Sequence, residues 1–213
     1  MTKLSEAKIL GGIGALLSLF VVAPYAGPLI GLVGLILVFV AVKYIADETK
    51  DHNTFRNYLM NFILNIIAIG AVITIMVASF GLSGGFSWIT TLLQKNNPPA
   101  GTIPGTYLIT DFNTFWASFS PVVVGCVLAL VIAWVLLIVG ALYLRKSYNS
   151  IAEHTKVDLF KTTGLVYLIG AATVIIIIGA FILIIAKILE IVSFFSLPDN
   201  LPGTMEPPKA ITP

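Results

Sequence analysis

Residues 163–195 read TGLVYLIGAATVIIIIGAFILIIAKILEIVSFF, and only Lys187 and Glu190 in that run are charged. A single helix over these 33 positions would be about 50 Å long, against a hydrocarbon core of about 30 Å. One span is expected here, either a single strongly tilted or protruding helix or one broken near Gly179, since Gly170 and Gly179 are its only interior breakers. Three further apolar stretches precede it: Ile9–Val42, Tyr58–Phe80 and Pro121–Leu144. The first would also reach about 51 Å as one helix, but Ala23-Pro24-Tyr25-Ala26-Gly27-Pro28 divides it. Proline lacks an amide donor and clashes with the preceding turn, so two prolines around a glycine close one helix and open the next. Five spans result, at about 6–23, 28–45, 57–80, 118–144 and 162–195, with an external loop at 81–117 and a flexible Pro-rich tail at 197–213. Ser5 is read as the N-cap of the first span, with Glu6 in its first turn, and Ser120-Pro121 as the start of the fourth.

Composition agrees with this reading. Of 213 residues, 58% are hydrophobic and 10% charged, whereas soluble domains hold about 45–50% and about 25%. A water-soluble globular domain is excluded, and the expected fold class is an all-α integral membrane protein of about five transmembrane helices. The net charge of +2 carries no signal for nucleic acid. The single cysteine, Cys126, excludes an intrachain disulfide and any multi-cysteine metal site, and among Val122, Val123, Val124 and Val127 it reads as a packing residue. A cleavable signal is tested by Val21-Val22-Ala23, but Pro24 follows at once and Glu6 is foreign to a signal's basic head, so the first span is expected to be retained.

Lys3, Lys8, Lys43, Lys50, Arg56, Arg145, Lys146, Lys156 and Lys161 fall at the N-terminus and in or beside the loops after spans two and four, leaving Lys95, Lys187 and Lys209 for the other side. Basic residues of short loops stay in the cytoplasm, so a cell-membrane protein with its N-terminus inside and C-terminus outside is expected. The external loop then carries Phe86, Trp88, Tyr107, Phe112, Phe115, Trp116 and Phe119, an interfacial aromatic set, with turns at Asn96-Asn97-Pro98-Pro99 and Pro104-Gly105.

The two cytoplasmic loops resemble each other. Ile45-Ala46-Asp47-Glu48-Thr49-Lys50 aligns with Ile151-Ala152-Glu153-His154-Thr155-Lys156, and Phe55-Arg56 follows one as Phe160-Lys161 follows the other. This predicts two tandem parallel-related helical hairpins, spans two–three and four–five, plus an N-terminal helix.

Ala7-Lys8-Ile9-Leu10-Gly11-Gly12-Ile13-Gly14, Pro24-Tyr25-Ala26-Gly27, Thr54-Phe55-Arg56-Asn57 and Val192-Ser193-Phe194-Phe195-Ser196-Leu197-Pro198 together resemble domain-of-unknown-function family 996. Its members are uncharacterised archaeal and bacterial multipass membrane proteins. The resemblance covers nearly the whole chain, implies the same membrane architecture and carries no activity to transfer.

Candidate chemistry is sparse. Asn57, Asn61 and Asn65 recur every four residues and so share one face of span three, with Thr74 extending it. They read first as interhelical glue, and alternatively as the lining of a solute or ion path. Lys187 and Glu190 share a face of span five and can pair. On one continuous helix they lie past the apolar core, so a pair snorkelling to the outer interface is expected, while a buried pair would mark function. His52 and His154, beside Asp51 and Glu153, are read as solvated loop residues rather than a metal or proton site. No catalytic residue, cofactor or metal is expected. Gly27-x-x-x-Gly31 and the other helix glycines suit close helix packing. The leading functional expectation is a non-enzymatic accessory or scaffold subunit, partnered by the bilayer and by its own copies or other membrane subunits. The alternative is a small-solute or ion permease or channel, and a lipid-directed enzyme ranks last.

Overall fold

A computed structural model describes residues 2–84, 112–176 and 178–202. They form six helices: α1 (Lys3–Leu19), α2 (Gly27–Thr49), α3 (His52–Leu82), α4 (Phe112–Thr155), α5 (Leu159–Thr173) and α6 (Ile178–Phe195), with 3-10 turns at Phe20–Val22 and Val174–Ile176. No strand occurs among the described residues. Among the described residues five stretches are long and apolar enough to cross a membrane: α2, α3, α4 from Phe119, α5 with its following turn, and α6; α1, expected as the first span, is 17 residues long and is not one of them. The protein is an all-helical, multipass integral membrane protein. Most of the loop expected at 81–117, including Phe86, Trp88 and Tyr107, and residues 203–213 of the tail lie outside the described residues.

The chain divides into two compact units, Met1–Asn65 with Leu137–Pro213, and Ile66–Leu136. In the second, α3 and α4 meet through small residues: Gly125 packs against the Ser79 hydroxyl, and Ala68 and Ala129 are buried. Large side chains such as Ile69, Ile73, Val124 and Leu130 are exposed, as apolar side chains facing lipid are.

The first unit holds the main core. Leu4, Val42, Ile45, Tyr148, Ile151, Phe160, Phe194 and Leu197 cluster there, drawn from the start of α1, the ends of α2, α4 and α6, and the start of α5. α1 and α2 form a hairpin joined through Ala23–Ala26, with Pro28 in the first turn of α2. Tyr25 in that turn has φ 65° and is fully exposed. The hairpin closes at glycines: a Cβ on Gly14 would stand 2.6 Å from the Gly34 carbonyl oxygen, and one on Gly34 2.5 Å from the Gly14 oxygen.

The paired loops share one geometry. Thr49 and Thr155 each donate a 2.8 Å hydrogen bond to the carbonyl four residues back, on Ile45 and Ile151. The following Lys50 and Lys156 take left-handed conformations, φ 55° and 59°, the usual way to stop a helix. Hydrogen bonds between Asp51 or Thr54 and Ser150 hold both loops at one end of the unit, so α2 and α4 run in the same sense.

Four local expectations are corrected. The run 162–195 is two helices: Phe160 packs on Phe194, Thr163 bonds Ser193 at 3.0 Å, and Gly170 meets Leu183, an antiparallel order. The break is physical, because α5 with its turn and α6 are 18 residues each, about 27 Å apiece and a match to the ~30 Å core that one 50 Å helix lacks. Gly179 allows the turn, since its missing Cβ would strike the backbone of Thr173 and Val174. With α5 folded back on α6, the chain returns to the end where α1 begins: Thr2 donates to the Asp199 carbonyl oxygen, and Lys8 pairs with the Asp199 carboxylate at 3.5 Å. Residues 2 and 199 therefore share an end instead of lying on opposite sides. The tail begins docked rather than loose, with Leu197 in the core and Leu201 packed against it. Helix starts also shift, because Thr2 rather than Ser5 caps α1, accepting from the Ser5 amide. Pro121 lies inside α4, which begins at Phe112.

Candidate functional site

Glu190 projects from α6 into the first unit with 2% of its side chain exposed. An isolated carboxylate there would be costly, and Asp, Glu, Lys and Arg inside membrane spans face protein or water-lined cavities for that reason. Three donors from three helices meet the charge. Tyr148 of α4 donates to Oε1 at 2.6 Å, while Tyr167 of α5, at 2.5 Å, and Lys187 of α6, at 2.6 Å, donate to Oε2. The α5–α6 turn is what brings Tyr167 beside Glu190. Lys187 keeps 27% of its side chain exposed, and its ammonium lies 5.9 Å from the centre of the Tyr167 ring.

The pair borders a cavity of about 200 Å³, room for a handful of waters or one small polar solute. Tyr58, Asn61 and Asn65 of α3 line it together with Tyr148, Tyr167, Lys187 and Glu190. Tyr58 and Tyr148 stack with ring centres 6.5 Å apart. The Asn65 amide donates to the Asn61 backbone oxygen at 2.9 Å and to the Asn61 side-chain oxygen at 3.0 Å. Counted along their helices, Tyr58, Tyr148, Tyr167 and Glu190 lie about 8–12 Å from the ends that carry the paired loops and Phe195.

The DUF996 family, described as proteins of unknown function, matches residues 30–188, three-quarters of the chain and all of the cavity wall except Glu190. The chain belongs to that family. An uncharacterised protein of Methanocaldococcus jannaschii is 34% identical over 199 residues, covering 93% of this chain and 96% of its own. No solved structure matches.

The asparagine stripe divides in this DUF996 protein. Asn61 and Asn65 reach the cavity, whereas Asn57 stands outside its wall. Thr74 is exposed and its hydroxyl turns back onto the Gly70 oxygen of its own helix at 2.8 Å. Lys187 and Glu190 do pair, but inside the bundle and not as a pair snorkelling to an outer surface. The three tyrosines went unnoticed in the sequence. Their signal was a phenol within an apolar helix, since a buried tyrosine hydroxyl needs a partner.

A second polar cluster joins the loops. Asp51 accepts from the Asn53 amide at 3.0 Å and from the Thr54 hydroxyl at 2.8 Å, and also from the Ser150 hydroxyl. Ser147 donates to the Thr54 carbonyl at 2.8 Å. Partial burial pushes the Asp51 carboxyl up, but the hydrogen bonds from Ser150, Thr54 and Asn53, with the nearby His154, outweigh it and hold the group below the usual aspartate value. His52 and His154 are exposed, and the His154 ring bonds the Ser150 oxygen at 2.8 Å. Among the described residues no three His, Cys, Asp or Glu side chains gather as a metal site would require.

Proposed function

We propose that this DUF996 protein is a small-solute permease whose binding site is the cavity beside Glu190. One observation carries the reading: a carboxylate with 2% exposure lines a largely apolar cavity, beside two asparagines and a lysine, in helices whose described residues otherwise bury almost no charge. An ionisable group within a span is costly to keep and marks a candidate functional site.

The accessory or scaffold reading draws on small-residue faces left for a partner. Here those faces are filled by the chain itself: Gly14 closes on Gly34, and Gly11 and Gly12 on Phe194 and Phe195. The cavity wall offers a carboxylate, an ammonium, phenols and amides, groups that can hydrogen-bond and pair with a polar solute. In this reading the end bearing both paired loops and residues 2 and 199 faces the cytoplasm of a cell-membrane protein, because the basic residues of those loops belong there.

The test is water access. Asn61→Cys and Asn65→Cys, each in a Cys126→Ser background, are treated in sealed vesicles with a water-soluble, membrane-impermeant thiol reagent from either side. Modification at both positions, and swelling of proteoliposomes in small polar solutes above the rate of empty ones, is expected. Resistance of both cysteines from both sides would exclude a path through this cavity.

A further inference from the structure

We infer that the ligand of this cavity is a small zwitterion, a molecule carrying one ammonium and one carboxylate, which opens the Lys187–Glu190 pair and takes the place of each partner for the other. The inference rests on the cavity being a binding site and adds the class of molecule it holds.

Charge is the first argument. Among the described residues Lys187 and Glu190 are the only charged side chains in the wall, and their charges cancel. A ligand bearing a single net charge would leave that charge uncompensated in a low-dielectric interior, which is costly. A zwitterion restores both pairings and brings in no net charge. A wholly neutral ligand could not compensate either side chain once the pair had parted.

The second argument is the unequal anchoring of the two partners. Glu190 keeps its Tyr148 and Tyr167 hydrogen bonds, one on each oxygen, when Lys187 leaves. It is therefore a fixed acceptor for a ligand ammonium, beside the rings of Tyr148 and Tyr167, whose faces attract cations. Lys187 is half-buried, holds Glu190 by one short bond, and sits on a flexible four-carbon stem. Its ammonium can swing to a ligand carboxylate without unpacking a helix.

The third argument is Tyr58, whose ring stacks on that of Tyr148. Tyr58 is 7% exposed and is one of the residues lining the cavity. A phenol in that position is a ready donor to a ligand carboxylate, next to the Asn61–Asn65 amides. The cavity volume of about 200 Å³ limits the ligand to a short carbon chain.

Equilibrium binding to the full-length protein in lipid nanodiscs tests this without requiring transport. The probes are glycine, β-alanine, 4-aminobutyrate and glycine betaine as zwitterions, ethylamine as a cation, propionate as an anion and propionamide as a neutral. At least one zwitterion is expected to bind about tenfold or more tighter than the other three. Lys187→Gln leaves Glu190 unpaired and should turn the preference toward ethylamine, while Glu190→Gln should turn it toward propionate. A misfolded variant cannot gain a new ligand, so the switch separates specificity from folding. Equal or tighter binding of a singly charged or neutral probe by the natural sequence, or binding by none of the zwitterions, overturns the inference. Zwitterion binding in nanodiscs with no solute flux in vesicles would leave the ligand class standing and remove the permease.

Discussion

Tyr148 reaches from α4 to Glu190 on α6 with a 2.6 Å hydrogen bond, 42 residues apart in sequence and fully buried at the tyrosine. That bond joins α4 to α6 at the place where a charge is hardest to keep. Tyr148→Phe removes a hydrogen bond to a carboxylate, an interaction worth about 1.5–3 kcal/mol, and leaves the ring packing in place. The expected outcome is a lower unfolding temperature in mild detergent. Tyr167→Phe should show a similar loss, and the double variant less than the sum, because both hydroxyls serve one carboxylate. Full additivity would mean that the two do not share it.

The α1–α2 hairpin makes a sharper test of packing. Gly14→Ala places a methyl against the Gly34 carbonyl, where nothing can yield except the backbone, so the hairpin must open. Gly70, on the same kind of apolar helix, has nothing within 4 Å of an added Cβ. Gly70→Ala should therefore be neutral or gain up to about 1 kcal/mol from the lost flexibility of the unfolded chain. Thermal unfolding of the two variants side by side should move them in opposite directions, and equal shifts would contradict the close approach at Gly14.

Much of the architecture was legible because it depends on composition and length alone. Apolar runs, the Pro24–Pro28 turn and the paired IADETK and IAEHTK loops each encode local backbone behaviour, and the threonine and lysine of each loop repeat the same bond and the same left-handed φ. The break in the last run was not legible, because nothing near Ile178 but Gly179 marks it. Its cause is a tertiary one, the fit of two short helices to one membrane thickness. The site inherits that difficulty. Lys187 and Glu190 were visible as a pair, but their depth depends on where the chain turns, and Tyr148 and Tyr167 become partners only after it has turned.

Acid should act through Asp51 in a definite direction. Its carboxyl is held below the usual aspartate value by Ser150, Thr54 and Asn53 despite the opposing effect of partial burial. A group depressed in the folded state contributes stability that is complete above its unfolded value and is lost as pH falls through the folded one. The natural sequence should therefore lose part of its stability only as pH drops from the ordinary aspartate range downward. Asp51→Asn should be less stable at neutral pH and flatter across that acid window, as measured by unfolding temperature against pH. An unchanged acid limb in the variant would show that the loop clamp does not depend on the charge.

The fold-back of α5 onto α6 decides membrane topology, and topology can be read independently of any ligand. Thr2 bonds the backbone of residue 199, and Lys8 lies 3.5 Å from the Asp199 carboxylate. Residues 2 and 199 must then be reached by solvent from the same face of the membrane. Thr2→Cys and Asp199→Cys, each made with Cys126→Ser, should react with an impermeant maleimide in the same vesicle orientation and be protected together in the other. A continuous helix over 162–195 would instead put the two cysteines on opposite faces and would also carry Glu190 away from Tyr167. Opposite labelling would therefore undo the turn at Val174–Ile176 and the site built on it, whereas labelling from one face supports the geometry on which the binding site depends.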